Sequence, residues 1–285
     1  MISLKSILIE AKLYSYTTQE LLDKVLNFEG KTLIFLDTET TDLEPNNSYV
    51  QITEISAMAL DGSTFKVIGE YNTKVNLGEP FNRLLNDPKS AEAVDYSKQV
   101  ERWRNKYKKE LMHPADILKM TGYHTAQPGE RKQDEKEALI GLEEFIKKYP
   151  NPLIIAHNAT FDIKTISARR KLNGLPIMTK RPVLDTVKIS RFFFIPMLLS
   201  MENNEQAKQY LQSLLAKTKF KSYSSSLGKL ADAFKIKLDG WHQASEDVKM
   251  LFQILQKMIE FLRANSSVDL SKQQKIAGKK YRNMK

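Results

Sequence analysis

A chain of 285 residues, 41% hydrophobic and 27% charged, has the make-up of an ordinary folded protein that can bury a sizeable core. It has no cysteine, which excludes disulfides, thiol nucleophiles and cysteine-ligated zinc, and its net charge of +10 suits a polyanionic partner. Lys5, Glu10 and Lys12 interrupt the apolar residues near the start, and no apolar stretch approaches the ~18 residues of a membrane span. A soluble, cytoplasmic protein without signal peptide or membrane contact, from a cellular or viral source, is expected.

Thr17-Thr18-Gln19-Glu20 has the form of a capping box opening a short helix, with Leu21, Leu22, Val25 and Leu26 turned inward. Gly30 closes it, so residues 1–30 read as a helical N-terminal extension. The apolar run Leu33-Ile34-Phe35-Leu36 predicts a buried strand that ends in Asp37-Thr38-Glu39. Side chains alternate along a strand, so Asp37 and Glu39 project from one face, about 7 Å apart. There they repel and lose hydration unless a divalent cation sits between them. A strand end that simply reaches solvent explains the same pair without a cation.

A polar loop from Thr40 to Ser48 follows, then Val50–Leu60 alternates as a second strand. Asp61-Gly62 signals a hairpin, with Thr64–Tyr71 as the return strand. Residues 79–115 are charged and helical in pattern, with Trp103 and Tyr107 four apart, and read as an insertion. Asp134–Tyr149 is an amphipathic helix with Ala138, Leu139, Leu142, Phe145 and Ile146 on its apolar side, stopped by Pro150 and Pro152. Leu153–Ala156 is another buried strand; His157 orders its end, Asn158 follows, and a helix runs from about Thr160 to Leu172. Asp162 at that helix start suits either a capping role or a site collected at a strand end. Lys164, Arg169, Arg170 and Lys171 form either a solvated face or a surface that steers phosphates.

Val183–Thr186 predicts a final short strand, and residues 190–222 a second insertion. Leu227–Phe234 and Ala244–Leu262 are the last helices; residues 266–285 are basic and expected to be disordered. In the last helix, Leu251, Ile254, Leu255, Met258 and Leu262 form an apolar stripe that, extended back one turn, meets Asp247. A buried carboxylate there needs a cation, although a residue at the stripe's margin does not. Gly240 places His242 on the loop before this helix, from which an imidazole can reach across the site that Asp247 faces.

Taken together, three ordered segments resemble the DEDDh family of 3′–5′ exonucleases within the RNase H-like superfamily. They are Asp37-Thr38-Glu39-Thr40-Thr41, Asn158-Ala159-Thr160-Phe161-Asp162, and His242 with Asp247 five residues later. Met120-Thr121-Gly122, Leu184-Asp185-Thr186 and Ser226-Leu227-Gly228-Lys229-Leu230 resemble lesser family segments, while Asp42 stands where the family often has Gly. The wording of the first motif looks more like the proofreading exonucleases of replicative DNA polymerases.

The resemblance implies an α/β fold, an RNase H-like mixed β-sheet flanked by helices, with helical insertions at about 79–115 and 190–222 of an exonuclease domain spanning 31–265. It further implies two divalent cations, Mg²⁺ or Mn²⁺, bound by Asp37, Glu39, Asp162 and Asp247, with Asp37 bridging and His242 as general base. Thr38, Thr40 and Asn158 become candidates for contacting the terminal nucleotide. The implied partner is a nucleic acid with a 3′ end, DNA by preference, and a DNA polymerase or replication complex beside it. The products are nucleoside 5′-monophosphates. An RNA-trimming exoribonuclease of the same family and a catalytically silent nucleic-acid-binding module are the competing readings.

Overall fold

The computed structural model describes residues 16–41, 50–87, 89–107, 113–120, 132–201, 203–215, 223–237 and 243–282. Helix α1 (Thr18–Lys24) opens with the expected capping box: the Thr17 hydroxyl accepts from Glu20 N, and the Glu20 carboxylate accepts from Thr17 N. Strands β1 (Thr32–Thr40), β2 (Ile52–Asp61) and β3 (Val67–Val75) form an antiparallel meander. Helices α2 (Glu79–Asn86), α3 (Ala91–Tyr107) and α4 (Pro114–Met120) follow, then the two-residue strand β4 (Lys132–Gln133) beside β3. Helix α5 (Glu135–Lys147) leads to β5 (Pro152–Ala156), α6 (Ala159–Leu172) and β6 (Val183–Asp185). The sheet order is β4-β3-β2-β1-β5-β6, with β5 and β6 parallel to β1.

After β6, α7 (Thr186–Ile189) passes through a π-helical turn (Ser190–Phe194) into α8 (Ile195–Ser200). Helices α9 (Glu205–Leu214), α10 (Leu227–Phe234), α11 (Ala244–Ala264) and α12 (Ser271–Arg282) complete the described chain. The basic segment expected to be disordered therefore contains a helix. Leu270 at its start is buried, and Gln274 donates to Tyr16 O across the molecule, so distant packing supplies what local composition does not. Within the segment read as a second insertion, Phe192, Phe193 and Phe194 are buried in the larger apolar cluster.

Alternation along β1 builds two cores. Leu33 and Phe35 face α11 and the Phe192–Phe194 turn, while Ile34 and Leu36 face α5 and α6. Both apolar stripes read from the sequence, on α5 and on α11, are buried. Gly141 lets α5 lie close on β3: a Cβ there would stand 2.7 Å from Tyr71 Oη. Tyr71 Oη donates to Ala138 O of the same helix. A mixed sheet covered by helices on both faces is the RNase H-like α/β architecture that the sequence implied.

A buried ion pair fastens the α5–α6 layer to the sheet. The Arg169 guanidinium on α6 donates from Nε and Nη2 to the two oxygens of Glu135 at 2.8 and 2.7 Å, and Ile52 N of β2 donates to Glu135 Oε1. Arg170 turns inward as well, donating to Leu139 O and Pro176 O. These two arginines are thus spent inside the fold, and of the basic group on α6 only Lys164 and Lys171 are exposed.

Candidate metal centre

Asp37 and Glu39 extend the Leu33–Phe35 face of β1 beyond the core, toward the first turn of α11. That turn carries Asp247, buried at 6% exposure where the helix's positive end favours an acid. Carboxylate oxygens of Asp37, Glu39 and Asp247 all lie within 4.8 Å of one another. Every donor is an oxygen, the type that hard divalent cations prefer. The donor set therefore fits Mg²⁺ or Mn²⁺.

Asp162 enters from the other side of β1. It sits in the first turn of α6 at 2% exposure, and its Oδ1 accepts from Thr38 N at 3.1 Å and from Thr38 Oγ1 at 2.8 Å. The fold thus gathers three of the four expected ligands into one group and holds the fourth beside them on Thr38. His242, the expected base, lies outside the described residues.

The electrostatics show the strain of this assembly without cations. Burial, followed by the charges of Asp162, Glu39, Asp247 and Glu54, pushes the Asp37 carboxyl well above its ordinary range. Burial, then Asp247, Glu54 and Asp162, pushes Glu39 up to about 8. Burial pushes Asp162 up to about 7, against the Thr38 hydrogen bonds that pull it down. Glu39 thus holds its proton at neutral pH and Asp162 is divided between its two forms, unless positive charge displaces the protons.

Glu54 is the acid that the sequence reading passed over. It is the antiparallel partner of Glu39 in the β1–β2 register and is 8% exposed. A register shift follows at once, between Glu39 and Thr40, where Thr40 pairs with Ile52. The signal was available: an acid within Ile52-Thr53-Glu54-Ile55 is the same anomaly that singled out Asp247.

The remaining candidates occupy the same end of the sheet. Asn158, at the turn between β5 and α6, has a left-handed backbone (φ 62°), a conformation asparagine tolerates better than most residues. Its N–H donates to Asp185 Oδ1 at 3.1 Å, and its side chain is exposed without a hydrogen bond among the described residues. Asp185 Oδ1 also accepts from Val187 N at 3.0 Å, so one buried carboxylate ties β6, α7 and the Asn158 turn together. Thr40 is buried at 4% exposure. His157 Nδ1 lies 2.9 Å from Thr186 Oγ1, and burial drives its pKa down to about 4, as suits a neutral residue ordering the strand end. Thr121 and Gly122 lie outside the described residues.

No family model matches the sequence. The DNA polymerase III PolC-type of Caldanaerobacter subterraneus subsp. tengcongensis is 26% identical over 237 residues, covering 83% of this chain and 12% of that protein. That of Thermotoga maritima is 24% identical over 250 residues, covering 87% of this chain and 13% of its own length. The chain thus spans only 12–13% of these curated relatives. Among solved structures, E. coli exonuclease I in complex with a dT13 oligonucleotide matches with a TM-score of 0.52 at 16% identity, over 80% of this chain and 40% of that one. A product-bound exonuclease I gives 0.53 at 13% identity, over 82% and 46%. Among the described residues, no helix is long and apolar enough to cross a membrane.

Proposed function

On an RNase H-like fold of the DEDDh-exonuclease kind, we propose that this chain is a metal-dependent 3′–5′ exonuclease that hydrolyses the terminal phosphodiester of DNA and releases nucleoside 5′-monophosphates. The observation that carries the reading is the group formed by Asp37, Glu39 and Asp247 at the end of β1, with Asp162 beside it. Two divalent cations bound there would supply Lewis-acid stabilisation of the scissile phosphate and a more acidic water. Asp37, Glu39, Asp247 and Asp162 would hold them, with Asp37 shared between the two. His242 takes a proton from the attacking water at neutral pH, which suits an ordinary imidazole. Asn158, whose side chain is exposed, and Thr40 would contact the terminal nucleotide.

DNA is favoured because the PolC-type relatives are DNA polymerases and one fold neighbour was captured with dT13. The likeness to these polymerases supports reading its role as proofreading or DNA processing, beside a polymerase or replication complex. The net charge of +10 suits the substrate's backbone. The test is release of label from 3′-labelled single-stranded DNA and RNA, with Mg²⁺ and with chelator. Metal-dependent release, faster from DNA, is expected, and Asp37→Ala should abolish it while leaving the protein folded. No metal-dependent release from either substrate would overturn the proposal; faster release from RNA would transfer it to RNA trimming.

A further inference from the structure

Thr38 lies between the two acids of its motif but on the opposite face of β1. Pairing between β1 and β5 ends at Phe35 and Ile155, so past that point β1 stays paired with β2 on one edge but has no β5 partner on the other. The Thr38 N–H has no β5 carbonyl to meet there. Asp162 Oδ1 takes that donor at 3.1 Å, and the Thr38 hydroxyl donates to the same oxygen at 2.8 Å. Both residues are buried, at 6% and 2% exposure. Among the described residues, both of the hydrogen bonds that Asp162 accepts from another residue fall on one oxygen, and its own N–H also bonds the carboxylate.

Resting on the nuclease reading above, we infer that Thr38 is a positioning residue for Asp162: its hydroxyl and N–H clasp one carboxylate oxygen and so set where the second divalent cation binds. Asp162 belongs to α6, whereas Asp37 and Glu39 belong to β1. The clasp is a direct polar link between these two parts of the site, and Asp185 holds the Asn158 turn through its N–H. Thr38 thereby acts on the metal through Asp162 rather than on the nucleotide.

The test compares Thr38→Val, which keeps shape and backbone N–H but loses the hydroxyl, with Thr38→Ser, which restores it. Mn²⁺ binding is titrated by calorimetry in the absence of nucleic acid, and the Mg²⁺ concentration for half-maximal release is measured on single-stranded DNA. Thr38→Val should weaken the second, lower-affinity Mn²⁺ step and raise the half-maximal Mg²⁺ concentration by about tenfold, the scale of one hydrogen bond to a charged group. Thr38→Ser should restore both. A folded Thr38→Val with the wild-type Mn²⁺ isotherm overturns the inference, as does a raised KM for DNA with unchanged metal dependence. Equal loss in Val and Ser variants would also overturn it, by assigning the effect to altered packing at position 38 rather than to the hydroxyl. Wild-type protein that binds two Mn²⁺ but releases no nucleotide would sink the nuclease reading alone, since the calorimetric comparison still decides the clasp.

Discussion

In metal-free protein, stability should fall as pH rises from about 4 to about 8, and Glu39→Gln should blunt that fall. The folded carboxyl of Glu39 titrates near 8 against an ordinary 4.5. Below the ordinary value the group is protonated whether folded or unfolded, and its contribution to stability is fully present. As pH climbs, the unfolded chain ionises freely while the folded one must either retain the proton or bury a charge. The contribution is therefore lost as pH rises through about 8. At about 1.4 kcal/mol per tenfold, such a displacement corresponds to roughly 4–5 kcal/mol. Asp37, Asp162 and Asp247 share the field, and a proton on one relieves the others, so removing the Glu39 charge should return about half, roughly 2–3 kcal/mol. For a chain of this size that is on the order of 5–10 °C in Tm. Calorimetric scans of wild type and Glu39→Gln in chelator, from pH 4.5 to 8.5, should coincide at the acid end and diverge toward the alkaline end, with the variant the more stable. Mg²⁺ should close the gap by stabilising wild type. A gap that does not change with pH, or a wild-type Tm that rises across the window, would refute the electrostatic account of the cluster.

Two further outcomes are expected, one from the buried ion pair and one from the proposed base. Arg169→Leu leaves the Glu135 carboxylate buried without its partner and should cost about 3–5 kcal/mol in urea unfolding, with release activity at 25 °C retained by the folded fraction; a loss under 1 kcal/mol would show that the pair is not what fastens α6 to the sheet. His242→Ala should lower kcat on DNA by about a hundredfold or more and flatten the acid limb of the pH–rate profile, with Mn²⁺ binding unchanged; an unaltered profile would remove His242 from the reaction.

The parts of the fold that show in the sequence are those specified by short-range periodicity. The stripes on α5 and α11, the alternation of β1 and the capping box at Thr17 each reflect contacts along one element, and each is where the pattern puts it. What the sequence did not reveal depends on contacts between distant segments. Gln274 meets Tyr16 O from 258 residues away, and no local signal marks a basic helix as docked. Arg169 and Arg170 look like a solvated face until α5 supplies Glu135 and Leu139 O as partners. Among the site residues, Asp37, Glu39 and Asp247 are legible because each is an acid in an apolar pattern, and they do converge. Glu54 fits that same description yet belongs to none of the three motifs.

The functional content of β1 lies in its parity. Odd positions Asp37 and Glu39 supply acids on the α11 side, and even position Thr38 supplies a donor on the α6 side. A one-residue slip of this strand would exchange the two sets, pressing carboxylates against the Ile34 and Leu36 side and presenting a neutral hydroxyl to Asp247. Misregistered chains would thus be penalised by the same charges that the native register gathers into the cluster. The clustered acids act against mispairing of their own strand, disfavouring the wrong register during folding.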